Sequence, residues 1–166
     1  MATNATHSPT STRSGRWLDA DEMAAWRNYV DTVGALNQAL EADLQDFGLT
    51  IGDYEVLVRL SEAPERSMRM CDLASQLRLS PSGLTRRLDG LVQTGVVARR
   101  PSADDRRVML AVLTDDGYAL LERAAPHHVD SVRRHFIDLL TSDEVKACGS
   151  AFGKVRAAAS RDTDAA

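Results

Sequence analysis

The sequence predicts a mainly α-helical protein with one small β-hairpin. Three observations carry that prediction. Apolar residues recur every three or four positions through most of the chain, which is the helical period. Near the middle, two short helical segments are separated by only three residues, Arg78-Leu79-Ser80. Directly after the second segment the pattern turns β-branched and apolar in two runs, VVARR and VMLAVLT, divided by the turn-rich PSADDR.

The elements follow in order. The first fourteen residues, MATNATHSPTSTRS, are small and polar and lack an apolar stretch, so they read as a disordered tail and not as a secretory signal. From Trp26 the apolar positions Val30, Val33, Leu36, Leu40, Leu44 and Phe47 make one stripe of a long helix that starts near Leu18 and stops at Gly48. Thr50 has the character of an N-cap, and Tyr54, Leu57, Val58 and Leu60 place a second helix before Pro64. A basic loop leads to CDLASQL, a short third helix with Leu73, Ala74 and Leu77 inward. The fourth starts at SPSG, where Ser80 can cap and Pro81 suits the first helical position because its missing N–H has no partner there.

On this fourth helix Leu84, Leu88, Leu91 and Val92 form one apolar stripe, which fixes the opposite face as Ser82, Arg86, Asp89 and Gln93, with Gly83 and Arg87 on its flank. Gly95 is placed to end the helix in a left-handed conformation. After the hairpin, Thr114 caps a fifth helix running through Phe136, Ile137 and Leu140 with a bend expected at Pro126. Thr141 and Glu144 make a capping box for a last helix reaching about Ala159.

Charge is segregated along this order. Residues 17–62 hold two arginines against ten acids, a net of −8, whereas residues 66–107 hold nine arginines against four acids, a net of +5. A basic face on an acidic body can hold a polyanion in one orientation. Two short helices joined by a three-residue turn and followed by a hairpin form a winged helix-turn-helix, a module whose second helix enters the major groove of double-stranded DNA. The candidate contacts are Ser80, Ser82, Gly83 and Arg86 toward base edges, Thr85 and Arg87 nearer phosphates, Arg99 and Arg100 on the outgoing wing strand, and Asp105, Arg106 and Arg107 at the tip.

The first and last helices lie on either side of a reading module that has its own small core, so their apolar stripes need another partner. Phe136, Leu140, Phe152 and Val155 would leave an exposed patch in a monomer, which predicts a homodimer and an inverted-repeat operator. The domain reading is a disordered tail over 1–16, a helical dimerisation region over 17–47 and 115–160, and the DNA-binding region over 48–114, with the helix-turn-helix at about 70–94 and the wing at about 96–114.

The order of these segments, with Leu73-Ala74, the L-x-x-L-x-x-x-G that ends at Gly95, the Asp105-Arg106-Arg107 tip and the Leu113-Thr114-x-x-Gly117 after the wing, resembles the MarR family of bacterial transcriptional regulators. The resemblance runs from about Leu18 to Ala159. The absence of a secretory signal implies a cytoplasmic protein; the resemblance implies a regulator, taken as a repressor, that is an obligate homodimer through its first and last two helices. It also implies a ligand pocket between the dimerisation and DNA-binding parts, and it places Arg107 in the minor groove with Asp105 holding its guanidinium by a charge-assisted bond.

The same residues bear on other functions. No Gly-rich phosphate loop, HExxH or nucleophile elbow is present, so neither an enzyme nor a cofactor is expected. His128 and His135 share a helix face but lie about 10 Å apart along the axis at 1.5 Å per residue, too far for one zinc ion, so no metal site is expected there or at His127. Trp26 and Tyr29, with His127 and His128, have two open readings, a pocket for a small aromatic or anionic effector and plain packing. No segment is apolar enough for a membrane span. Two functional alternatives also stay open: a winged-helix dimer used for protein contacts, and a thiol-based redox sensor acting through Cys71, whose position at a helix start favours a thiolate while Asp72 opposes it.

Overall fold

A computed structural model describes residues 16–164, so the tail read for residues 1–16 lies, up to residue 15, outside the described residues. Helix α1, Ala20–Leu44, starts from a reciprocal cap in which Asp19 accepts from the Glu22 N–H (2.9 Å) and Glu22 accepts from the Asp19 N–H (3.0 Å). A 3₁₀ turn, Gln45–Phe47, extends it to Gly48, whose φ of 68° ends the helix as the sequence predicts. The chain divides into two compact units inside α1, one up to Gly34 and one from Ala35 onward. In the first unit Trp26, Tyr29, Val30 and Val33 are exposed, with Trp26 and Tyr29 stacked at 5.9 Å between ring centroids.

The second unit holds the core. Helix α2, Ile51–Glu62, is capped by Thr50 and Asp53 in a full capping box and buries Val56, Leu57 and Leu60. Helices α3, Met70–Gln76, and α4, Pro81–Gln93, contribute Leu73, Ala74, Leu84, Leu88 and Leu91 to the same core. Strands β2, Val97–Pro101, and β3, Met109–Leu113, pair antiparallel from Val97 opposite Leu113 to Pro101 opposite Met109. Helices α5, Asp115–His135, and α6, Ser142–Asp164, complete the chain. No helix among the described residues is long and apolar enough to cross a membrane.

The structure departs from the sequence reading in three places. Residues 67–69, expected as loop, form a third strand β1 on the free edge of β3, with Ser67 opposite Val112 and Arg69 opposite Leu110. Three residues are too few to show a period of two, so only the partner strand reveals them. Helix α5, expected to run through Leu140, contains Pro126 within its span. It stops at His135, and Phe136, with φ −140° and ψ −63°, leads into a 3₁₀ turn at Ile137–Leu139. The last helix runs on to Asp164, past the expected end at Ala159.

Two joints hold α5, one near each of its ends. The Thr114 hydroxyl donates to the Gly95 carbonyl (2.8 Å) and accepts from the Gly117 N–H (3.0 Å), so one side chain links the end of α4, the wing and the start of α5. At the other end, Asp43 of α1 accepts from Ser131, which is fully buried, and from Arg134 at 3.0 Å, with His135 Nε2 3.7 Å away. The Ser131 hydrogen bond, with Arg134 and His135 beside it, holds the Asp43 carboxyl below its ordinary range against an opposing desolvation.

Candidate nucleic-acid interface

The turn between α3 and α4 is tight because Arg78 takes a left-handed conformation, φ 54°, and donates its N–H to Ser75 O at 3.1 Å, while Leu79 N–H reaches Ala74 O at 2.9 Å. Ser80 then caps α4 by accepting from the Gly83 N–H at 3.1 Å, with Pro81 at the first helical position. The Ser80 hydroxyl also lies 3.2 Å from that of Ser82. Leu84, Leu88 and Leu91 are buried and Val92 is half-buried, so the helix is fixed in rotation. Burying each leucine is worth about 1.5–3 kcal/mol, which is what orients the outer face. Ser82, Thr85, Arg86, Asp89 and Gln93 are exposed on it.

The three arginine pairs do not all face outward. Arg86 is exposed, but Arg87 is half-buried and its guanidinium packs against Gly52 of α2, where an added Cβ would overlap Nη1. Arg87 thus has a packing contact with α2 beside its place on the flank of the outer face. Thr85 is also drawn back to its own helix, donating to Pro81 O at 2.9 Å.

In the second pair Arg100 is exposed, whereas Arg99 turns toward α4. Its Nη2 donates to Thr85 O and to Asp89 Oδ1, both at 2.8 Å. The side chain is 27% exposed and its Nε is buried without a partner, so these two bonds hold Arg99 against α4. Both arginines of the third pair, Arg106 and Arg107, are exposed at the wing tip.

The tip is closed by its own hydrogen bonds. Ser102 N–H donates to Val108 O at 2.8 Å, closing the loop, and Asp105 Oδ1 accepts from the Arg107 N–H at 2.9 Å. The family resemblance implies that Asp105 holds the Arg107 guanidinium. The bond present runs instead to the Arg107 backbone, and among the described residues no ion pair joins Asp105 to an arginine. A short Asp side chain two residues before the N–H forms an Asx turn more easily than it reaches a guanidinium.

In the second unit His127 packs on Phe47 at 5.1 Å and His128 on Tyr54 at 4.4 Å between ring centroids. Burial lowers the pKa of His128, whose Nδ1 is buried without a partner, and raises that of Tyr54. Among the described residues no group of three His, Cys, Asp or Glu side chains is arranged to hold a metal. Cys71 is exposed and its thiol donates to Asp72 Oδ1 at 3.4 Å. Of the four candidate dimerisation residues, Phe136 and Leu140 are half-buried, while Phe152 and Val155 are 48% and 67% exposed on α6.

Sequence reasoning missed Arg66. Its guanidinium stacks over the Tyr118 ring at 3.7 Å and pairs with Asp115 at 3.2 Å, which ties it to the first turn of α5. A linear count of charge gives no signal for such a contact.

A family model described as the MarR family matches residues 49–109. Among solved structures, the chain is similar to AbsC, a MarR family transcriptional regulator from Streptomyces coelicolor, at 42% identity over 86% of this chain and 96% of that one, with a TM-score of 0.81. It is also similar to Sco3205, a MarR family regulator from the same organism solved in complex with DNA, at 36% identity over 87% of this chain and 91% of that one, with a TM-score of 0.82. The HTH-type transcriptional repressor YetL of Bacillus subtilis (strain 168) is 27% identical over 141 residues, 83% of this chain and 84% of that protein.

Proposed function

The chain belongs to the MarR family of transcriptional regulators, and from that premise we propose that it is a repressor that binds an inverted-repeat operator in double-stranded DNA as a homodimer. The observation that carries this reading is the outer face of α4, where Ser82 and Arg86 stand exposed above a buried leucine stripe while Arg106 and Arg107 project from the neighbouring wing. A guanidinium at Arg86 can donate two bonds to guanine O6 and N7 in the major groove, and a wing-tip arginine suits a narrow, A·T-rich minor groove. The repressor assignment follows the likeness to YetL. The dimer is supported by the exposed Phe152 and Val155, which apposed copies of α6 would cover together with Phe136 and Leu140.

The proposal includes regulation by a small aromatic or anionic effector. Its support is the Tyr54–His128 ring pair between α2 and α5, where a buried ring nitrogen has no partner. The protein is taken to act in the cytoplasm, where operators are.

Selection of bound sequences from random DNA tests the reading. The expected product is an inverted repeat with half-sites about one helical turn, roughly 34 Å, apart. Recovery of no common sequence would remove the proposal.

Two substitutions then separate the contacts. Arg86→Ala is expected to cost about 1–3 kcal/mol on the selected duplex and to relax one base position in each half-site. Asp105→Ala is expected to weaken binding although it removes an acid beside a polyanion, because the tip loses the bond that sets the Arg107 backbone. Fluorescence-anisotropy titrations at fixed salt decide both. Tighter binding by Asp105→Ala would mean that the tip acts only as diffuse charge.

A further inference from the structure

We propose that Arg99 is a positioning residue that locks the wing to the reading helix, and that it sets the sequence preference of DNA binding without itself touching a phosphate. The inference rests on the DNA-reading function above and adds to it a residue that meets no base.

The geometry is specific. Arg99 lies on β2, and one nitrogen, Nη2, donates both of its hydrogens to α4, one to the Thr85 carbonyl and one to the Asp89 carboxylate, each at 2.8 Å. These two acceptors are one helical turn apart and enclose Arg86 between them in sequence. The bond therefore grips the turn of α4 that presents Arg86. The carboxylate also cancels the charge of Arg99 locally, and burial of the side chain, 27% exposed, leaves Nε without a partner. A guanidinium used in this way releases few counterions from DNA.

Two readers depend on this clamp. Arg86 on α4 and Arg107 at the wing tip address neighbouring grooves, and their spacing is set by how β2 sits on α4. The backbone pairing of β2 with β3 fixes the hairpin internally but not its angle to the helix. At the base of the hairpin Val97 is buried in the core with the α4 leucines and Thr114 bonds to Gly95, and the Arg99 side chain adds a crossing farther along β2. Without it, both readers keep their chemistry but lose their mutual register, so specific binding weakens more than non-specific binding does.

The test uses the full chain, the duplex enriched by selection with the unaltered protein, and a scrambled duplex of equal composition. Dissociation constants for both are measured across a salt series for Arg99→Ala, Arg99→Lys and Asp89→Asn. The ratio between duplexes is unaffected by any loss of active protein. All three variants are expected to reduce that ratio about tenfold, the scale of one charge-assisted hydrogen bond, with the salt slope unchanged. Asp89→Asn alters a carboxylate that is 59% exposed, so it reads the clamp even where an Arg99 variant folds poorly.

A phosphate contact predicts the reverse pattern. Arg99→Ala would then flatten the salt slope by about 2 per dimer and weaken both duplexes alike, Arg99→Lys would bind nearly as well as the parent, and Asp89→Asn would bind both more tightly. That pattern overturns the proposal. An unaltered protein with no preference between the duplexes would overturn the DNA-reading function itself and this inference with it, an outcome visible in the parent protein alone.

Discussion

Between 50 and 200 mM salt, the affinity of this protein for a short selected duplex is expected to fall about 10³-fold. The figure follows from which arginines face outward. Arg87 packs on Gly52 and Arg99 is bonded to Asp89, which leaves Arg100, Arg106 and Arg107 exposed on the wing of each subunit in addition to Arg86 on α4. Three wing guanidinium groups per subunit, two on phosphates and Arg107 in the minor groove between them, make about six per dimer, and each displaces close to one condensed counterion, for a logarithmic slope of about −5. Titration by fluorescence anisotropy over that salt range checks it. A flat response would favour a winged-helix module used for protein contacts, which has no polyanion to neutralise.

Replacing Gly117 by alanine is expected to destabilise the protein by about 3 kcal/mol, at the upper end of overpacking costs, and to lower the midpoint of thermal unfolding by about 10 °C. Gly117 is buried in the first turn of α5, and a Cβ there would lie 2.0 Å from the carbonyl oxygen of Val96 and 2.7 Å from Leu113 Cδ1. The obstruction is backbone, which cannot rotate away. The Thr114 hydroxyl bonds to Gly95 O and from Gly117 N–H would stretch together, because both depend on the same close approach. Gly90→Ala supplies the contrast. That glycine sits within α4 with nothing within 4 Å of where an alanine methyl would stand, so alanine there should stabilise the helix by about 0.5–1 kcal/mol. Circular dichroism melts of both variants decide. Equal stability of the two would mean that the joint between α5 and Val96 is looser than these distances require.

Local chemistry is the part of the fold most readable in the sequence. Each predicted cap is formed: Thr50 with Asp53, Ser80 with Gly83, Thr114 with Gly117, and Thr141 with Glu144. A cap is a contact between residues three apart, so spacing alone specifies it. The leucine stripe of α4 is legible for the same reason, and with it the outer face carrying Ser82 and Arg86.

Contacts distant in sequence are not legible. Residues 67–69 become a strand only because β3, some forty residues later, offers an edge. Arg99 reaches Asp89 and Arg87 reaches Gly52 across turns whose angles no local pattern encodes, so three arginine pairs that look alike in the sequence divide into outward and inward members. Asp105 orders the tip through the Arg107 amide and not its guanidinium, since an acid two residues from an arginine can meet either its side chain or its backbone.

Helix α5 is held at both ends, each by a different neighbour. Its start is fastened through Thr114 to Gly95, and its last turn through Ser131 and Arg134 to Asp43. At 21 residues and 1.5 Å per residue it is a rod roughly 31 Å long. Such a rod is a lever. A tilt of about 10° about the Asp43 end would carry the other end by about 5 Å, more than the roughly 3.4 Å between successive nucleotides of a strand, so a small displacement beside Asp43 is geared up to the scale on which DNA is read.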